Sequence, residues 1–280
     1  MTSSGHGNHL PPPAVLDVLL CSVCGNPLVL TQRTLRCELG HSFDVAKQGY
    51  VNLLHARIPA GTADTPDMVA ARVAFLGSGV YTPLADELAK HATEGLVVDA
   101  GAGTGYYLAR VLDAVPASHG LALDVSAVAL RRAARAHERL GAAVWNLWEP
   151  WPVASGSASL VLNVFAPRNG PEFHRVLRPG GKLVVAVPNP GHLGELRDLI
   201  VSVDDRKEER LDATLAEYVT LESRTEVTRT VTLSPEQIRQ VVGMGPSAHH
   251  LHKDGRADQL ASITEPVDVT TSFTVSAYRR

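Results

Sequence analysis

Residues 96–107, LVVDAGAGTGYY, restrict the fold of this chain more than any other segment. Leu96, Val97 and Val98 form an unalternating apolar run, the signature of a strand buried on both faces, and the run stops at Asp99. Gly101, Gly103 and Gly105 come next at alternate positions, and YYLARVLDAV then repeats apolar residues at helical spacing. A strand, a glycine turn and a helix in that order bring a helix N-terminus and uncovered backbone amides to the carboxyl end of a parallel strand. Further along, HGLALDVS predicts a second strand ending at Asp124, where an acidic group can accept hydrogen bonds from the hydroxyls of a bound ribose.

The segments that follow keep the same alternation. DVSAVALRRAARAHERLG reads as an amphipathic helix, AAVWNL as a short strand, and SASLVLNVFAP as a strand whose end, Asn163 to Pro167, borders the ligand crevice. PEFHRVL predicts a helix, RPGG a turn, KLVVAVPNP a fifth strand and HLGELRDLIVSV the start of a further helix. EVTRTVTL and VDVTTSFTVSAY alternate with period two and predict antiparallel strands at one sheet edge, with SPEQIRQVVG as a helix between them. The expected fold class is α/β, with a doubly wound, mostly parallel sheet. The D-x-G-x-G-x-G spacing differs from the G-x-G-x-x-G of dinucleotide sites and resembles the S-adenosyl-L-methionine (SAM) site of class I SAM-dependent methyltransferases, which favours that cofactor over NAD.

All three cysteines are crowded into positions 21 to 37 of a 280-residue chain. The N-terminus lacks the cationic start of a signal peptide, and no uncharged apolar stretch approaches the roughly 18 residues that span a bilayer, so a cytoplasmic protein with no membrane partner is expected. Disulfides rarely persist in that compartment. Cys21 and Cys24 form a C-x2-C knuckle, and Cys37 and His41 a C-x3-H pair, which together supply the four ligands of a tetrahedral zinc site. Four protein ligands leave no open position, so the expected Zn2+ is structural. Gly25, Asn26 and Pro27 turn the chain after the first knuckle, and LVLTQRTLRC reads as two short strands of a ribbon. A unit of this size draws its folding energy from the metal. Two domains are therefore expected: residues 1–60 as a zinc ribbon and 61–280 as a methyltransferase domain. The histidines at 249, 250 and 252 have no accompanying cysteine or carboxylate frame and read as solvent-exposed.

The ribbon together with FDVAKQGYVNLL (43–54), DMVAARVAFLGSGVYTPL (67–84), AGTGYY (102–107), LDVS (123–126) and PGHLGEL (190–196) resembles the RlmA family over most of the chain, and within it the RlmA(II) branch. The resemblance implies SAM-dependent methylation of guanine at N1 in large-subunit ribosomal RNA, and for that branch resistance to tylosin-type macrolides. It also implies cofactor contacts at Tyr81, Thr104 to Tyr106 and His192, to which the residues themselves add Asp99, Gly101, Gly103, Gly105 and Asp124. From the residues alone, Tyr81 reads equally as a core aromatic and His192 as a helix-start residue. Ala102 and Thr104 depart from residues frequent in the other branch.

Methyl transfer from a sulfonium is an in-line displacement that requires alignment and exclusion of water. N1 of neutral guanine carries a proton, and Asp64, Asp67 and the polar groups of NVFAPRN are candidates to accept it, each with an ordinary role as turn former or helix cap. The target guanine is expected in a single-stranded or loop region of 23S rRNA, because pairing occupies N1. A formal net charge of −3 means that local patches must bind the phosphates, and Arg33, Arg36, Lys47, Arg57, Arg131, Arg132 and Arg135 are the candidates. A small-molecule methyltransferase and a non-catalytic zinc-containing RNA-binding protein remain as alternatives, and monomer or homodimer stays open.

Overall fold

The apolar runs and the cysteine cluster sort into two sheets. The computed structural model describes residues 9–55, 63–200, 214–245, 247–248 and 256–280. In chain order, α1 (Pro13–Leu16) precedes the ribbon strands β1 (Val29–Thr31), β2 (Thr34–Arg36) and β3 (Ser42–Asp44), and β4 (Tyr50–Asn52) follows them. Then come α2 (Pro66–Gly77), α3 (Thr82–Ala89), β5 (Gly95–Ala100), α4 (Tyr106–Ala114), β6 (Ser118–Asp124), α5 (Ala127–Ala133) and β7 (Leu140–Val144). The chain continues through β8 (Ala158–Val164), α6 (Gly170–Val176), β9 (Leu177–Pro188), β10 (Thr220–Leu233), α7 (Pro235–Gly243), α8 (Arg256–Ser262) and β11 (Val267–Arg279).

Strands β1, β2 and β3 form an antiparallel ribbon, and the other eight form one sheet in the order β10-β11-β9-β8-β5-β6-β7-β4. Six of these, from β9 to β4, run parallel, whereas β11 is antiparallel to both β9 and β10. The strand order reverses between β5 and β8, which opens a crevice at their carboxyl ends. This is the doubly wound, mostly parallel sheet expected from the alternation. Every residue of β7 and β8 is buried, as unalternating apolar runs require when helices cover both faces. Among the described residues no single helix is long and apolar enough to cross a membrane.

Two elements depart from expectation. The helix begun by DVSAVALRR ends at Ala133, because Arg139 is needed elsewhere: its amide donates to His137 Nδ1, and its guanidinium donates to the carbonyls of Leu112, Val115, Pro116 and Ser118 at the end of α4. HLGELRDLIVSV yields only a 3-10 turn at Gly194–Leu196 within its described part. Leu193 is left-handed at φ +54°, its amide donates to Thr270 O, and the Glu195 carboxylate accepts the amide and hydroxyl of Thr270. Bonds to β11 therefore replace helical ones. The paired strands at the sheet edge and the helix between them agree with expectation, and Ser234 and Gln237 close a capping box at the start of α7.

The ribbon is fastened to the sheet rather than tethered to it. β4 pairs with β7, the Leu53 amide donates to Val144 O, and the Ser22 hydroxyl of the first knuckle donates to Leu53 O at 2.7 Å. Leu19 and Leu20 bond to the segment at Pro152 and Val153, and Val15 packs against Gly141 of β7. The first knuckle consequently lies toward the end of the sheet that holds the crevice. The expected boundary between residues 60 and 61 lies outside the described residues. Leu53 is fully buried at this junction. Leu53→Ala is expected to lower stability by about 2–5 kcal/mol, read by chemical denaturation.

Candidate functional site

The crevice is built on three left-handed glycines at the end of β5, with φ of +90° at Gly101, +52° at Gly103 and +78° at Gly105. Space as well as backbone conformation demands glycine at the first. A Cβ on Gly101 would lie 2.3 Å from Ala166 Cβ, and Leu147 closes the other side. Asp124, at the end of β6, fixes the turn: one carboxylate oxygen accepts the Gly103 amide at 2.8 Å and the other accepts the Ser126 amide at 2.8 Å. Each oxygen retains a lone pair for a further donor. Burial raises the Asp124 pKa against the lowering effect of those two amides.

Asp99 is 1% exposed, and its Oδ1 has no hydrogen-bond partner among the described residues. Burial, and then the nearby Asp124 carboxylate, push its pKa up to about 8. A buried carboxylate without a donor at the mouth of an amide-rich turn suits a ligand that brings a cationic group. SAM carries an ammonium and ribose hydroxyls, so the donor set of Asp99, the turn amides and Asp124 fits it. Thr104 is buried within the turn, and the Tyr106 hydroxyl lies 3.5 Å from Thr82 Oγ1 at the start of α4.

On the opposite wall, Tyr81 Oη lies 2.9 Å from His192 Nε2, and the Ser272 amide donates to His192 Nδ1 at 3.1 Å. A backbone amide can only donate, so Nδ1 is unprotonated, the neutral ring carries its proton on Nε2, and Tyr81 receives it. The Tyr81 hydroxyl proton is thereby left to point away from His192. Burial lowers the His192 pKa to about 4, which keeps the imidazole neutral. Tyr81 is both of the things its sequence context allowed, a buried ring edge-on to Phe75 and Phe273 and a polar member of the wall. Asn189 secures this arrangement through Ser272 and Thr274 on β11.

In the ribbon, the ligand atoms of Cys21, Cys24, Cys37 and His41 all lie within 4.8 Å of one another. Cys24 and Cys37 sulfurs are 3.7 Å apart, and His41 Nδ1 is 3.5 Å from Cys21 Sγ and 3.4 Å from Cys37 Sγ. A tetrahedron with Zn–S of about 2.3 Å and Zn–N of about 2.0 Å has edges of roughly 3.8 and 3.5 Å, so the donor set fits structural zinc.

Arg72 of α2 is a residue that sequence reasoning missed. It pairs with Asp64, donates to Met244 O at 2.7 Å, and sits 3.1 Å from where a Cβ of Gly103 would be, so three distant segments meet over the glycine turn. Only the fold reveals this. Of the two candidate acceptors for the guanine proton, Asp64 is paired with Arg72 and Asp67 is exposed in the first turn of α2. Arg33 turns inward to the carbonyls of Val45 and Ala46, which corrects its expected place in an RNA-facing patch. Arg36, Lys47, Arg131, Arg132 and Arg135 are exposed. Arg57 and His249, His250 and His252 lie outside the described residues.

Comparison with known proteins matches residues 19–57 to the family model "RlmA, N-terminal", a zinc ribbon, and residues 97–181 to "Methyltransferase domain". The 23S rRNA (guanine(748)-N(1))-methyltransferase of Streptomyces fradiae is 46% identical over 274 residues, covering 95% of this chain and 98% of that protein. A Micromonospora griseorubida protein named as a candidate 23S rRNA (guanine-N(1)-)-methyltransferase is 45% identical over 95% of this chain and 99% of its own length. Among solved structures, a chain from the complex of the Haloferax volcanii Trm112 methyltransferase activator shares the fold at TM-score 0.52 and 18% identity, over 78% of this chain and 99% of that one.

Gly101→Ala is expected to abolish SAM binding in calorimetry while also destabilising the fold, since the added methyl collides with Ala166 at a left-handed position. Asp99 yields a pH signature. Its folded pKa is raised to about 8, so stability is full below the ordinary carboxylate range and falls as pH rises toward 8. At pH 7, SAM binding should release a proton, seen as a binding enthalpy that varies with the ionisation enthalpy of the buffer, and Asp99→Asn should remove that variation.

Proposed function

The chain belongs to the 23S rRNA (guanine-N(1)-)-methyltransferase family, and on that premise we propose that it methylates N1 of the guanine in 23S rRNA equivalent to position 748, using SAM. Near-full-length identity to the Streptomyces fradiae enzyme carries this reading. The joining of a zinc ribbon and a glycine-turn crevice in one body supports it, since a metabolite methyltransferase would need only the crevice.

When bound, SAM would supply an electrophilic methyl group on a sulfonium, leaving as S-adenosyl-L-homocysteine, while the guanine N1 proton is released to solvent. The residues expected to hold SAM are Tyr81, Asp99, Gly101, Gly103, Thr104, Gly105, Tyr106, Asp124 and His192. Asp99 would receive the ammonium, the remaining lone pairs of Asp124 would receive ribose hydroxyls, and the Tyr81 hydroxyl, whose proton is turned away from His192, would donate to the cofactor's carboxylate. Buried Tyr81 and Phe273 would keep water from that wall of the cofactor site. Residues 1–60 act as the RNA-recognition unit and 61–280 as the methyltransferase unit. Cys21, Cys24, Cys37 and His41 hold the ribbon in shape around zinc, while Arg36, Lys47, Arg131, Arg132 and Arg135 bind backbone phosphates. The reaction takes place in the cytoplasm, where ribosomal RNA is available. A methyl group on this guanine, in a hairpin lining the peptide exit tunnel, obstructs tylosin-type macrolides.

Labelled SAM and unmodified 23S rRNA test the reading, with primer extension to map the product, because N1 methylation blocks the pairing edge and halts reverse transcriptase. A single stop at the predicted guanine is the expected result. Methyl incorporation into a metabolite with none into RNA would refute it. Removing zinc with a chelator should reduce transfer to RNA at least tenfold while SAM affinity stays within about twofold, since the ribbon's metal lies outside the crevice.

A further inference from the structure

Resting on the rRNA reading above, we propose that Phe165 is the aromatic platform on which the target guanine stacks during transfer. Phe165 follows β8 directly, and its neighbour Ala166 abuts Gly101, so the ring stands at the border of the glycine turn. Its backbone is left-handed at φ +55°, a conformation that a bulky side chain rarely adopts. The surrounding structure enforces it. The Phe165 amide donates to Ala186 O at 3.1 Å, and the Asn163 side-chain amide donates to Ala100 O at 3.2 Å and Pro167 O at 2.8 Å, tying both ends of the turn.

This strained turn directs a large ring toward solvent. Phe165 is 42% exposed, whereas Val164 beside it is 6% exposed. The ring is braced by Phe273, with centroids 5.5 Å apart, and by Tyr107 at 6.3 Å, so it is held in position without being covered. Strain that leaves an apolar ring unburied gives the fold nothing, and such strain concentrates at functional sites.

The occupant follows from the reaction. Guanine must leave its pair to expose N1, and it loses its stacking partners when it does so. A rigid ring at the acceptor side of the crevice replaces that stacking. Placement separates Phe165 from the other exposed aromatic, Trp148, which is 66% exposed. Trp148 follows β7, on the side of the sheet where Asp124 marks the ribose, whereas β8 lies on the side away from the ribose.

The test compares Phe165→Ala, Phe165→Leu, Phe165→Trp and Trp148→Ala with wild type in the rRNA transfer assay, alongside SAM affinity and melting temperature. Phe165→Ala and Phe165→Leu should lose roughly ten- to a hundredfold in kcat/KM for RNA. Phe165→Trp should stay within about threefold, as should Trp148→Ala, with SAM affinity unchanged throughout. If the alanine variant does not fold, the leucine variant decides. The assignment fails if leucine serves as well as tryptophan, if SAM affinity falls in parallel, or if Trp148→Ala carries the loss instead. Absence of transfer by wild type itself would overturn the rRNA reading and this assignment together, whereas an intact wild-type stop with an unaffected Phe165→Leu overturns this assignment alone.

Discussion

The carboxylate of Asp124 holds the crevice together. It is the point where β5, through Gly103, and α5, through Ser126, are joined by charge-assisted bonds to a single side chain. Backbone bonds from Gly101 and Ala102 to Leu123 O hold the first part of the turn, and Asp124 fixes Gly103, where glycine alone would offer many conformations. The same two bonds determine the direction of the Gly103 amide and hold the start of α5 at the end of β6, while the far end of that helix, at Ala133, packs against Gly105. The second acid, Asp99, is left without such partners. The contrast divides the labour between two adjacent aspartates: one builds the turn, and the other waits for a donor.

The opposite wall depends on a longer chain of dependencies. β11 supplies Ser272 to fix the histidine tautomer, Thr270 to hold the turn after Leu193, and Phe273 to pack against Tyr81. An antiparallel strand near the sheet edge thereby controls a hydroxyl on α3's cap residue. One side of the crevice is local in sequence, whereas the other is assembled from residues 81, 192 and 272.

That difference explains what could be read in advance. The glycine turn and its two strand-ending aspartates were legible because a strand, a turn and a helix within thirty residues leave a periodic trace, and the zinc ligands because metal geometry dictates spacing. Tyr81 and His192 were visible only through family resemblance, since a lone aromatic and a lone histidine carry no pattern. Arg72 was not visible at all, because its partners at 64, 103 and 244 are brought together by folding. β4 was missed because three residues, Tyr50 to Asn52, are too short a run to show alternation, although Tyr50 and Val51 favour strands, and only pairing with β7 defines the element.

The pairing of β4 with β7 also bears on solubility. A parallel sheet ends in rows of unpaired amides and carbonyls, and β7 is buried and apolar along its whole length. On the far edge, β10 exposes Glu222, Arg224, Glu226 and Arg229, which discourage another chain from adding to the sheet. The near edge has no such charges of its own and relies on the ribbon as its cover. Without the segment that carries β4, the buried apolar strand β7 would become an open sheet edge, so the ribbon's attachment also serves as a guard against edge-to-edge association.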